Sequence, residues 1–221
     1  MEVKPNKRKA LVAGSTGLIG NLLVQELVKS DIEVTALLRN SSSSKDKLIS
    51  YEVVNFDDLQ SSELLFDEVT DVFICLGTTI KKAGSKEAFI KVDVDYCVAV
   101  AKAASKAKIP NLSIVTSVGA DPESKNFYLK CKGEVEKQIS NLSFDSLSIY
   151  RPGLLIGPRE EKRAAEAFGQ WLQPNLIDPF LLGSAKKYRS VKASDLAVTI
   201  KEFSGLESGK SIYHFQDFLK R

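Results

Sequence analysis

The segment Tyr128-Leu-Lys-Cys-Lys132 places a phenol and an ammonium four residues apart, on one face of any helix that spans them. A phenol titrating near about 10 is a poor proton carrier at neutral pH, and a neighbouring ammonium favours its ionised form. That is one route to general acid-base chemistry. Ser117 lies eleven residues upstream of Tyr128 and offers a hydroxyl that can orient a carbonyl or alkoxide oxygen while the phenol exchanges its proton. A Tyr-x-x-x-Lys pair is also common on exposed helix faces, so what precedes and follows it decides the reading.

What precedes it is Ala13-Gly14-Ser15-Thr16-Gly17-Leu18-Ile19-Gly20, between an apolar run and a stretch of helical periodicity. The spacing is G-x-x-G-x-x-G. Gly14 permits a tight turn, Gly17 lets the backbone approach a pyrophosphate, and Gly20 lets helix and strand pack closely, while the helix N-terminus turns free N–H groups toward an anion. A turn with glycine for packing only is the alternative. After the second apolar run comes Leu38-Arg39-Asn40, where a dinucleotide site for NAD would carry an acidic residue on the ribose hydroxyls. A guanidinium there can grip the 2′-phosphate of NADP, which favours NADPH over NADH; a solvated surface arginine is the other reading. Asp57 is a candidate for the adenine amine or for a helix N-cap.

Composition narrows the field. The 221 residues hold 31 basic and 28 acidic side chains, a balance that points away from nucleic acid and anionic membrane as partners. The single histidine, His214, leaves no Ser-His-Asp hydrolase and no multi-histidine metal site unless it serves alone. Cys75, Cys97 and Cys131 are odd in number and share no metal-ligand spacing, so they read as buried hydrophobes in a reducing compartment. The basic residues Lys4, Lys7, Arg8 and Lys9 precede an apolar run that Gly14, Gly17 and Gly20 interrupt, which suits a strand and turn better than a secretory signal. No stretch reaches the ~18 apolar residues of a membrane span. A cytoplasmic chain is the expectation.

The elements that must position these residues alternate. Apolar periodicity predicts a strand at 9–13, a helix at 18–29, and strands at 32–38 and 51–54. A helix near 61–66, a strand at 71–76 and an alanine-rich helix at 89–106 follow, then a strand at 112–117, a helix at 127–140, a strand at 147–150 and a helix at 161–172. Strands alternating with helices imply α/β architecture, a doubly wound parallel sheet of Rossmann type in one domain over residues 1–221. Ser41 to Ser44 reads as a loop, and the turn-rich composition after Pro174 suggests a small substrate-side lobe from residues 153–187 and 205–221.

A glycine-rich turn, a strand-terminal serine, Tyr-x-x-x-Lys and Arg151-Pro152-Gly153 occur in this order. Over residues 8 to 200 the chain resembles the short-chain dehydrogenase/reductase superfamily. Val191 to Ala197 adds the Val-x-x-x-Asp-Leu-Ala segment of its extended and atypical branches. Cys75-Leu-Gly-Thr-Thr79, Val92-Asp-Val-Asp-Tyr96, Ser117-Val-Gly-Ala-Asp121 and Lys132-Gly-Glu-Val-Glu136 are similar to the Tat-interacting-protein-like, NADPH-binding atypical group. The resemblance implies that Leu76, Gly77, Thr78 and Thr79 line the nicotinamide-side ribose, that Lys132 also holds that ribose, and that Pro152, Gly153 and Leu154 border the ring. Asp93 departs from the asparagine that supports a water relay in many members, so proton supply is expected to differ.

The expected function is that of an NADPH-dependent oxidoreductase, with Tyr128 as proton carrier, Lys132 and Ser117 as its partners, and a small carbonyl or alcohol as substrate. The alternative is a regulatory protein in which NADPH occupancy alters affinity for a protein partner. A nucleotide-sugar epimerase is disfavoured by the short substrate lobe. No metal is expected, and oligomeric state is not legible. Lys81 and Lys82 read as a solvated loop, Cys131 as core, Trp171, Phe168 and Phe180 as pocket lining or core, and residues 160–163 as a charged helix start.

Overall fold

The computed structural model describes residues 8–39, 46–61, 63–157 and 178–218. Seven strands form one sheet: β1 (Lys9–Ala13), β2 (Glu33–Leu38), β3 (Ile49–Val53), β4 (Asp71–Ile74), β5 (Asn111–Val115), β6 (Ser146–Tyr150) and β9 (Gly209–Tyr213). Their order is β3-β2-β1-β4-β5-β6-β9, and every pairing is parallel. A separate two-stranded parallel ribbon joins β7 (Leu155–Ile156) to β8 (Val191–Lys192).

Period-two alternation sends successive residues of each central strand into different layers. Leu11 and Ala13 join Val72, Ile74, Leu112 and Ile114 under helices α4 (Tyr96–Lys106) and α5 (Phe127–Ile139). Ala10 and Val12 face the other way and meet Leu23 and Leu27 of α1 (Leu18–Val28) and Leu196 and Ile200 of α6 (Ala193–Phe203). Both faces are therefore covered, as an all-parallel sheet requires.

At the N-terminal end of the sheet, buried Asp71 accepts both arms of Arg8, at 3.0 and 2.8 Å, together with the hydroxyls of Thr70 at 2.7 Å and Ser204 at 2.8 Å. The polar ends of β1, β4 and α6 are tied there. The opposite, C-terminal end is left for a site.

Three elements differ from expectation. Residues 209–213, expected on the substrate side, are the seventh strand beside β6, because the chain after α6 returns along the open edge of the sheet. The helix expected near 61–66 is a pair of 3₁₀ turns, Phe56–Ser61 and Glu63–Phe66, with Asp58 outside helical geometry between Asn55 and the second turn. The long helix expected at 89–106 is α3 (Lys86–Ile90), one π-helical turn (Lys91–Asp95) and α4. A further short helix, α2 (Ile80–Ala83), lies ahead of them. The helix expected at 161–172 lies outside the described residues.

Candidate active site

The chain reverses direction in the sheet between β1 and β4, and the C-terminal ends of these strands open the crevice in which doubly wound folds bind ligands. Gly14 follows β1 with φ +93°, and a Cβ there would sit 2.6 Å from the carbonyl of Cys75, just past β4. Only glycine satisfies both demands. Gly17 donates its N–H to Gly14 O at 3.0 Å and then opens α1 as an N-cap without a side-chain hydrogen bond. The first turn of α1 also carries no acidic residue, so its N–H groups and the positive end of the helix are available to an anion. Ser15 Oγ is buried with no partner among the described residues. Glycine cradle, bare helix end and orphaned hydroxyl together fit a diphosphate.

Thr16 is exposed beside this turn, while Ile19 packs into the core and can offer only backbone. Gly20 is packed so closely that an added Cβ would overlap the Gly14 carbonyl. Gly20→Ala is therefore expected to lower the thermal midpoint, by overpacking that typically costs about 1–3 kcal/mol, and to abolish dinucleotide binding. Equal melting curves for variant and parent would show that the turn can yield.

Arg39 is exposed just beyond β2, with no hydrogen bond or ion pair among the described residues. Asp57 does not act as a cap, since Asn55 Oδ1 accepts the Asp57 N–H at 3.0 Å and the Asp57 carboxylate pairs with Lys91 at 3.0 Å. That contact raises the Lys91 ammonium above its ordinary value. Phe56 stacks on Tyr96 at 5.1 Å beside this pair.

Helix α5 supplies the chemistry. Asn126 caps it by accepting the Leu129 N–H at 3.1 Å, which starts the helix so that Tyr128, Lys132 and Glu136 fall in one stripe. Tyr128 is 38% exposed, and its ring meets Phe89 edge-on at 6.1 Å. Lys132 is 4% exposed, with Nζ 5.9 Å from the centre of the Tyr128 ring. Its charge is balanced by Asp93, 1% exposed, whose Oδ1 lies 2.8 Å from Nζ. Burial alone would lower the lysine's pKa; the Asp93 carboxylate outweighs it and holds the ammonium above its usual range. The second oxygen of Asp93 accepts the Thr78 N–H at 2.7 Å. One carboxylate thus joins the lysine to the loop after β4.

Glu136 does the same for the neighbouring strand ends. It accepts the Thr116 hydroxyl at 2.6 Å and Arg151 Nε at 3.0 Å, and Arg151 Nη2 completes the fork. Ser117 follows Thr116 and donates to the Val118 carbonyl at 3.3 Å, and Val118 N–H bonds Pro152 O at 2.9 Å. Local sequence pattern assigns no role to Thr116 or Glu136, although Glu136 lies four positions beyond Lys132 on the same helix face.

The remaining expected residues divide. Gly77 lies against Asp93, with room for a Cβ 3.6 Å from Oδ1, and Thr79 Oγ1 is occupied in capping α2 through the Lys82 N–H at 3.2 Å. Leu76 packs against the core. Gly153 lies against the backbone of Tyr188 and Arg189, and Leu154 O accepts the Val191 N–H at 2.8 Å. Cys131 is buried, which raises its thiol pKa and makes it a core residue. Lys81 and Lys82 belong to α2 rather than to a loop. Phe180 is exposed, while Phe168, Trp171 and residues 160–163 lie outside the described residues.

Comparison with known proteins agrees with this geometry. Protein HTATIP2 of Rattus norvegicus is 31% identical over 221 residues, covering 96% of this chain and 91% of the relative. Protein FMP52, mitochondrial, of Candida albicans is 31% identical over 206 residues, covering 87% and 86%. Among solved structures, the Bordetella bronchiseptica enzyme WbmG in complex with NAD superposes with a TM-score of 0.69 at 16% identity, over 97% of this chain and 74% of that one. The oxidoreductase ylbE from Lactococcus lactis gives 0.65 at 21%, over 88% and 84%. These two share the fold. A family described as NAD(P)H-binding matches residues 14–165, and the chain belongs to it.

Proposed function

We propose that this chain is an NADPH-dependent oxidoreductase acting on a small carbonyl or alcohol. The observation that carries the reading is the partly exposed Tyr128 above a buried, ion-paired Lys132, on a helix tied through Asp93 and Glu136 to the strand ends that border the nucleotide crevice. The turn from Gly14 to Gly20 would hold the pyrophosphate, Arg39 the 2′-phosphate and Asp57 the adenine amine. Leu76, Gly77, Thr78, Thr79 and Lys132 would hold the second ribose, with Pro152, Gly153 and Leu154 beside the ring. The bound cofactor would supply hydride transfer. Tyr128 carries the proton to or from the substrate oxygen, with the Lys132 ammonium beneath its ring, and Ser117 orients that oxygen. The test is consumption of NADPH across a panel of aldehydes and ketones.

Cofactor choice rests on Arg39. A set of charge-assisted bonds is worth about 1.5–3 kcal/mol, so Arg39→Ala is expected to weaken NADPH roughly 10- to 100-fold and NADH little. Calorimetric titration decides it, and equal affinities for both cofactors in the parent protein refute the preference.

The substrate-side lobe is proposed for residues 153–187 and the parts of 205–221 outside β9. A cytoplasmic location is proposed, and the three free cysteines support a reducing compartment. No described helix is long and apolar enough to cross a membrane. FMP52 of Candida albicans is labelled mitochondrial, so imaging of the tagged chain is the discriminating observation. A protein captured only in the presence of NADPH, with no turnover on the carbonyl panel, would favour the regulatory reading.

A further inference from the structure

The Asp93–Lys132 pair raises a question of charge. Holding the Thr78 N–H needs only an acceptor, which a neutral side chain can supply equally well. The carboxylate adds one negative charge, 2.8 Å from Nζ and almost wholly buried. The π-helical turn at Lys91–Asp95 is what places it. An α-helix carried straight through would give Asp93 a different facing, and such turns recur at functional positions. The other titratable groups facing the pair are Tyr128 from α5 and the thiols Cys97 of α4 and Cys131 of α5. Burial raises both thiols, so neither adds charge near neutrality.

A dinucleotide with its pyrophosphate on the Gly14–Gly20 turn and its adenosine half toward Arg39 runs its other half over the ends of β4 and β5. That path crosses Thr78, whose N–H Asp93 holds. The ring at this end has two charge states, since the oxidised nicotinamide is cationic and the reduced one neutral. An unopposed buried ammonium nearby would repel the first and leave the second almost unaffected. We infer that Asp93 sets the redox-state selectivity of the cofactor site: it cancels the charge of Lys132 and so keeps affinities for NADP⁺ and NADPH close to one another. The inference rests on the NAD(P) site read above.

The test is a set of charge variants, in which Kd is measured for NADP⁺ and NADPH by calorimetry at two pH values, so that each unpaired group is read where it stays charged: the ammonium of Asp93→Asn at mildly acid pH and the carboxylate of Lys132→Met at alkaline pH. Asp93→Asn keeps shape and the acceptor for Thr78, removes the negative charge, and is expected to weaken NADP⁺ relative to NADPH by about tenfold. Lys132→Met leaves the carboxylate and is expected to shift the ratio the other way by a similar factor. The double variant, neutral again, returns the ratio near the parent value even if both affinities fall. Damage to packing moves both affinities together and leaves the ratio fixed. Ratios unchanged within twofold in both single variants overturn the inference while the site reading stands, whereas a parent protein that binds neither cofactor overturns both.

Discussion

Tyr128→Phe is expected to cut turnover about 10²- to 10⁴-fold while NADPH binds almost as before, because the substitution removes one hydroxyl and keeps the ring. The ring's place against Phe89 and over the Lys132 ammonium does not depend on that hydroxyl. Lys132→Met is expected to lose both turnover and affinity, since the same ammonium serves the phenol and the ribose in the proposed site. Single-turnover oxidation of NADPH, with a substrate taken from the carbonyl panel, separates the two variants when run beside a cofactor titration. A Tyr128→Phe protein that turns over at the parent rate would remove the phenol from the mechanism, and the roles of Ser117 and Lys132 with it.

Glu136→Ala is expected to destabilise the fold strongly. Glu136 is 4% exposed and serves Thr116 and Arg151 at once, so deletion leaves a partly buried guanidinium without its acceptor and the Thr116 hydroxyl with only the longer bond to Tyr150 O at 3.3 Å. Breaking such a pair from one side costs about 3–5 kcal/mol, with the lower end apt here because the Arg151 side chain is 23% exposed. For a chain of this size each kcal/mol moves the melting point by roughly 2–4 °C, so a fall on the order of 6–12 °C is expected. Glu136→Gln keeps an acceptor and should recover part of the loss. A calorimetric melt checks both, and a fall below about 2 °C for the alanine variant would show that water replaces the carboxylate.

The strands at the centre of the sheet were legible because their residues are apolar on both faces, as in the fully buried run 10–13 of β1, and the glycine turn because its spacing has a mechanical reason. β9 escaped notice for the opposite reason. Gly209, Lys210 and Ser211 give an edge strand almost no apolar signal, and only Tyr213 is buried. The π-helical turn was hidden within continuous helical periodicity, since one extra residue in a turn leaves the composition unchanged. Asp93 itself stood out as an unusual residue, but its pairing with Lys132 depends on that turn and on a contact between distant helices. Tyr128 and Lys132 were legible as a local i, i+4 pair. Glu136 has the same spacing from Lys132, yet its partners Thr116 and Arg151 come from two other strands, and no local rule brings them together.

The cluster on Asp71 bears on the order in which the chain can assemble during synthesis. Its partners stand 63 residues before it in Arg8 and 133 after it in Ser204. A carboxylate at the start of a central strand therefore stays short of one of its bonds until nearly the whole chain has been made. Contacts of such separation carry a large loop-closure cost and form late. The first half of the sheet must wait, with this polar end still wet, for α6 to close it. Nascent chains that have emerged only through β6 would thus hold a native-like strand order without the locked base, a state for chaperones to shelter rather than a finished half-domain.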